Sequence, residues 1–337
     1  LHLEDAVMTQ PTLDLFTEGL RCWSALTDLA LSGLNPIPPH LQPNEEAEEE
    51  EAEEEAEEDQ VDEEKSDPEE EEEEVVREAC VLDGFLAALG EQSQLERLVW
   101  MSTLFTPTTV ALLDTSLRNL TSLLFLDLYG NYFPQEPDSP LVWEAVGELP
   151  NLLHFELAEQ EMGAIALEAL SVSLGKCTTL TEVVLSRVDA CDVGLFPFFE
   201  AEMNRLTSFS LLGNPGLSKL SFEKWLGSHG LRGLQRLALN DVEEGAGDLL
   251  ADILRQSSSL TALELCGMDQ SVLGKMASAL PEMVGLRVLD ISCTQVGIGM
   301  LRGMIPHLAR CGQLEELDMS DMSLGNASML ALGGAHL

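Results

Sequence analysis

Apolar side chains recur along this chain in a fixed frame, filling positions 1, 4 and 6 of a six-residue stretch. Leu123, Leu126 and Leu128 fill it, and so do Leu26/Leu29/Leu31, Leu95/Leu98/Trp100, Leu152/Phe155/Leu157 and Leu180/Val183/Leu185. The frame continues at Leu206/Phe209/Leu211, Leu234/Leu237/Leu239, Leu260/Leu263/Leu265, Leu286/Leu289/Ile291 and Leu314/Leu317/Met319. From Leu95 onward the first positions are separated by 28, 29, 28, 26, 28, 26, 26 and 28 residues. Positions 4 and 6 lie on one side of an extended chain, so each frame predicts a short strand with position 1 turned inward at its entry. The residues that follow switch to helical spacing, as at Leu167, Leu170 and Leu174, or Leu249, Leu250, Ile253 and Leu254. One strand and one helix cannot bury their apolar sides alone, so the units must stack and share a core.

The frame is that of the leucine-rich repeat, and a period of 26 to 29 with a full helix resembles the ribonuclease-inhibitor-like class. The predicted fold is an α/β solenoid of about ten repeats. It is curved, with a parallel sheet on the concave side and helices outside. The repeat consensus also places an Asn eight residues after the first Leu, where its amide bonds the adjoining turn. Only Asn131 and Asn214 meet it; the other units carry Leu34, Thr103, Gln160, Val188, Val242, Met268, Thr294 and Met322. Those turns must satisfy their backbone groups in another way. Pro306, inside the helical pattern between Met300 and Leu308, is expected to kink or shorten that helix. Leu1-His-Leu reads as the end of a strand and Ser328 to Leu337 as an unfinished helix, so residues 1–337 read as part of a longer array.

Leu26 and Leu95 lie 69 residues apart, which leaves roughly 41 residues beyond one ordinary period. A Glu-rich run fills most of that excess. Between Glu45 and Glu74 there are 22 acids and one base, Lys65. Residues 44–76 are therefore expected to be a disordered acidic insert within an early repeat, with too little apolar surface to offset ordering entropy. The helical pattern resumes at Val81 to Leu89. Such an insert is either a tolerated loop expansion or a lure for basic tails.

The formal charge of the whole chain is −43, from 60 acids and 17 Lys and Arg. That field repels phosphate backbones and anionic head groups, which argues against nucleic-acid and membrane partners and for basic protein surfaces. Seven Cys without a C-x-x-C pair, and no signal peptide, point to a reducing compartment: the cytoplasm, or else the nucleus. The sequons at Asn119 and Asn326 argue the other way only weakly.

Catalytic and metal-binding patterns do not emerge. The sequence lacks a phosphate loop of the G-x-x-x-x-G-K-[ST] type, an H-E-x-x-H, a G-x-S-x-G elbow and a calcium loop. Its six His are scattered, and Cys266 with Cys293 supplies only two of the four ligands a structural zinc wants. Neither enzyme activity nor a cofactor is expected.

Residues between the consensus positions should line the concave face. The column one residue beyond position 4 holds Asp127 and Glu156 in one acidic group and Glu264, Asp290 and Asp318 in another. Neighbouring positions add Glu182, Glu316, His154 and Arg236, with Phe125, Tyr129 and Leu212 as apolar anchors. Acids around aromatic anchors suit a dock for a basic protein surface, the anchors supplying affinity and the charges the on-rate. A merely solvated polar face is the plainer reading of the same residues. Trp100 and Trp225 fall at core or helix positions and are assigned to packing.

Outside the insert, the frames above and the ending Leu206-Thr-Ser-Phe-Ser-Leu-Leu-Gly-Asn214 resemble the leucine-rich repeat domains of NOD-like receptors. That resemblance implies a ligand-sensing or autoregulatory array next to a nucleotide-binding module, in innate-immune or related regulatory proteins. Two other repeat-bearing classes stay open: substrate adaptors of ubiquitin ligases, and regulators resembling the Ran GTPase-activating proteins, whose acidic stretch follows the array rather than interrupting it.

Overall fold

A computed structural model describes residues 2–3, 10–34, 82–134, 140–201, 203, 205–228 and 232–322. The acidic run at 45–74 and the segment 328–337 lie outside them. Eleven strands form one sheet in strict chain order, and every pairing is parallel. They are β1 (His2–Leu3), β2 (Asp28–Ser32), β3 (Arg97–Met101), β4 (Phe125–Asp127), β5 (His154–Ala158) and β6 (Glu182–Ser186). The remainder are β7 (Ser208–Leu211), β8 (Arg236–Leu239), β9 (Ala262–Glu264), β10 (Val288–Asp290) and β11 (Glu316–Asp318).

Helices alternate with the strands. They are α1 (Gln10–Cys22), α2 (82–89), α3 (Pro107–Asn119), α4 (Pro140–Glu148) and α5 (Ala164–Leu174). After them come α6 (Asp192–Glu200), α7 (Lys219–Gly227), α8 (Gly247–Gln256), α9 (Gln270–Ala277) and α10 (Ile298–Leu308).

The core is one continuous seam between sheet and helices. Positions 4 and 6 of the frames from Leu29 to Ile291 are buried, and so are the inward residues of each helix, such as Leu167, Leu170 and Leu174. Leu82, Phe85, Leu86 and Leu89 of α2 are fully enclosed, so the helical pattern expected there is present from residue 82, while Val81 lies outside the described residues. Trp100 and Trp225 are core residues, as their positions implied. This is a leucine-rich repeat solenoid.

Three periodic devices hold successive units in register. The carbonyl at position 2 accepts two amides from the next unit: Thr27 takes Glu96 and Arg97, Glu96 takes Leu124 and Phe125, and the arrangement runs on to Arg287. Position 8 is left-handed in all ten units. Gly fills it at 33, 130, 213 and 267, whereas Ser102, Glu159, Arg187, Asp241, Cys293 and Asp321 adopt the same positive φ with a side chain attached. Outside glycine that conformation costs roughly 1–2 kcal/mol; the amides of Ser102, Glu159, Arg187 and Cys293 each donate to a carbonyl of the next unit.

The third device is the amide ladder at position 9. Asn131 Oδ1 accepts the amide of Thr103, and its Nδ2 donates to the Trp100 carbonyl. Asn214 accepts from Val188 and Ala190 and donates to Leu185 and Leu212. Thr294 substitutes a hydroxyl, with Oγ1 accepting the Met268 amide at 3.2 Å. Pro306 does not shorten α10, which reaches Leu308. The carbonyl left without its usual partner belongs to exposed Arg302, where water can satisfy it.

Candidate protein-binding face

With positions 4 and 6 facing the helices, the alternate residues of each strand face the other way. The register aligns them in two columns across β2–β11. One column runs Asp28, Arg97, Phe125, His154, Glu182, Ser208, Arg236, Ala262, Val288, Glu316. The other runs Ala30, Val99, Asp127, Glu156, Val184, Ser210, Ala238, Glu264, Asp290, Asp318. Eight of these twenty residues are carboxylates, against two arginines and one histidine. Tyr129 and Leu212 sit two residues beyond the second column, at the strand ends. Ten of the twelve candidate residues thus lie in two straight rows on the helix-free face, and the other two adjoin them.

The two acidic groups differ in their surroundings. On β3–β7 the side chains are already engaged with one another. Arg97 stands 4.4 Å from the Phe125 ring centroid, and His154 stacks on that ring at 4.1 Å with an interplanar angle of 6°. β3 and β5 flank β4, so both faces of the Phe125 ring are occupied. His154 Nδ1 lies 2.9 Å from Glu182, and its Nε2 lies 3.5 Å from Glu156. Ser208 Oγ donates to the other oxygen of Glu182.

Burial disfavours the charged imidazole, but the nearby carboxylates of Glu156 and Glu182 outweigh that, and the His154 pKa is raised. Asp127 receives the Tyr129 amide on Oδ1 at 3.0 Å. Burial, and then the charge of Glu156, push its carboxyl up to about 6. Tyr129 keeps 41% of its surface open and Tyr132 keeps 42%, which makes them the accessible aromatic rings at this end of the face.

The second group, on β9–β11, has less internal compensation. Glu264 pairs with Arg236 at 2.6 Å. Asp290 accepts the Ser292 amide and the Cys266 thiol, and Asp318 accepts the Ser320 amide, which holds its carboxyl below the usual range. Among the described residues no cation pairs with Asp290, Glu316 or Asp318, and Arg287, the nearest in sequence, is taken by Glu315. Asp318 thus closes its strand end through Oδ1 and leaves Oδ2 available, whereas the second oxygen of Asp290 takes only the weak Cys266 thiol donor.

Two of these relationships escape a reading of the acidic column alone. Arg97 is one of the few bases in the strand frames, and the first column sets it directly beside Phe125. The pairing of His154 with Glu182 likewise needs that column, 28 residues apart in sequence. Neither depends on a motif; both follow from reading two rows together.

No protein-family model and no curated protein sequence matches the chain. Among solved structures, an internalin (inlF) of Listeria monocytogenes is 16% identical, with a TM-score of 0.43 over 74% of this chain and 74% of its own. The TLR13–ssRNA13 complex is also 16% identical, with a TM-score of 0.39 over 69% of this chain. This chain spans 36% of that one. At such identity and overlap, neither neighbour's ligand transfers to this chain.

Proposed function

We propose that this chain is a non-catalytic protein-interaction domain whose helix-free sheet face docks a basic protein surface. The observation that carries the reading is the charge of that face: eight carboxylates against two arginines in two aligned rows, with Asp290, Glu316 and Asp318 lacking a basic partner among the described residues. Adjacent strands are about 4.8 Å apart, so Glu264, Asp290 and Asp318 place three carboxylates within roughly 10 Å. A field of that density steers cationic partners and sets their on-rate. Tyr129 and Leu212 supply apolar contact next to it. In the wider protein we assign the array a ligand-sensing or autoregulatory role of the kind NOD-like receptors have, in the cytoplasm, a reading supported by the resemblance of the repeat frames.

Charge reversal tests the docking reading. Glu264→Lys, Asp290→Lys and Asp318→Lys together should weaken binding of a nonalysine peptide at least tenfold at low salt, with less effect at high salt. The acidic run at 45–74 is present in both proteins and contributes equally. Unchanged affinity and on-rate in the triple variant would remove the face from the account.

A further inference from the structure

The cluster on β3–β7 contains two proton-binding groups, His154 and Asp127, within one connected set of charges. The set is Arg97 on β3, Asp127 on β4, His154 and Glu156 on β5, and Glu182 on β6, with the Ser208 hydroxyl on β7 closing it. No helix contributes to it, because the helices occupy the opposite side of the sheet. His154 lies between two carboxylates, at 2.9 Å and 3.5 Å, while Asp127 is aligned with Glu156 on the adjacent strand.

We infer that this cluster is a proton-operated control on the docking face, which attracts cations less and offers fewer carboxylates when protonated, and attracts a basic partner when deprotonated. The inference rests on the docking reading above and adds its regulation.

The direction follows from the charges. With Asp127 ionised and His154 neutral the five ionisable groups sum to −2; with both protonated they sum to zero. Burial and Glu156 bring Asp127 to about 6, and the two glutamates raise His154 above its ordinary value. Asp127 therefore changes charge well above the range of isolated carboxylates, and His154 keeps its proton to higher pH than an isolated imidazole. Deprotonating His154 also removes the cation that holds Glu156 and Glu182 together and that stacks on Phe125. By linkage, a cation docking here lowers both proton affinities and releases protons on binding.

The experiment uses the full chain with a nonalysine peptide as probe, at constant ionic strength from pH 5.5 to 8. Calorimetric affinity is compared between the native protein and a His154→Gln/Asp127→Asn variant, and the His154 imidazole is followed by NMR with and without probe. The native affinity should rise roughly tenfold more across this range than that of the variant, as expected for two added surface charges. The His154 titration should move to lower pH when the probe is bound. Superimposable pH profiles, or a His154 titration that the probe leaves in place, would overturn the control while leaving docking at β9–β11 intact. A probe that fails to bind either protein at pH 8 would overturn the docking reading, and this inference with it.

Discussion

Asp127 should be more comfortable in this fold as a neutral group. Its carboxyl is partly buried on β4, faces Glu156, and is pushed from 3.8 to about 6. A proton thus binds the folded state more tightly than the unfolded one. The stabilisation this provides is fully present below about pH 3.8 and is lost as the pH rises through about 6. Asp127→Asn mimics the protonated form and keeps an oxygen to accept the Tyr129 amide. At about 1.36 kcal/mol per pKa unit, the shift sets a ceiling of about 3 kcal/mol for the gain at pH 7. Solvent screening of a partly exposed group reduces this to about 1–2 kcal/mol.

Urea denaturation followed by circular dichroism at pH 4, 5, 6, 7 and 8 reads the effect without adding salt. Amide exchange in β4 and β5 reads it locally, since repeat arrays can open unit by unit. The variant should be more stable at pH 7 and 8, with its advantage shrinking towards pH 4. A variant that is less stable at pH 7, or whose advantage does not change with pH, would refute the electrostatic reasoning.

Three further perturbations address the periodic devices. Asn214→Ala removes four bonds to backbone groups in a buried turn and should cost about 2–4 kcal/mol in urea denaturation, well above an exposed Asn→Ala. Gly267→Ala meets no atom within 4 Å of the new Cβ, so only its φ of +63° is penalised; a loss of about 1 kcal/mol in the same assay isolates the left-handed position from packing. Asp192→Ala deletes the carboxylate that accepts from the Ser218 amide and from both the Ser218 and Ser221 hydroxyls at the start of α7, and should cost about 1–3 kcal/mol at pH 7. Burial opposes ionisation of Asp192, but those bonds hold its carboxyl below 3.8; this stabilisation should therefore fade as the pH falls through that lowered value, and thermal melts at pH 7 and pH 3 should show the difference between variant and native protein narrowing.

The apolar frames made the architecture legible because those between Leu95 and Ile291 each bury three residues at fixed spacing. Counting 26 to 29 residues from Leu95 onward recovers every strand pairing from β3 to β11. The same counting aligns Asp127 with Glu156, and Glu264 with Asp290 and Asp318, from the sequence alone. What it could not supply was side-chain engagement across strands. Phe125 reads as an exposed anchor in sequence, but Arg97 and His154 cover both faces of its ring, and Glu264, seen as part of an acidic group, is matched by Arg236. The left-handed turn at position 8 was equally hidden. Glycine marks it in only four of ten units, and Arg187 or Cys293 in that place gives no local signal. Asp192, serving the helix of the following unit, is invisible to any reading confined to one repeat.

Carboxyl footprinting with a carbodiimide and an amine tag, read by mass spectrometry with and without the nonalysine probe, tests the central claim most directly. Docking on the helix-free face predicts that Asp290, Glu316 and Asp318 lose reactivity when the probe is present, while exposed helix carboxylates such as Glu223 and Asp252 do not. Protection confined to the run between Glu45 and Glu74, or to the helices, would contradict it and move binding away from the sheet.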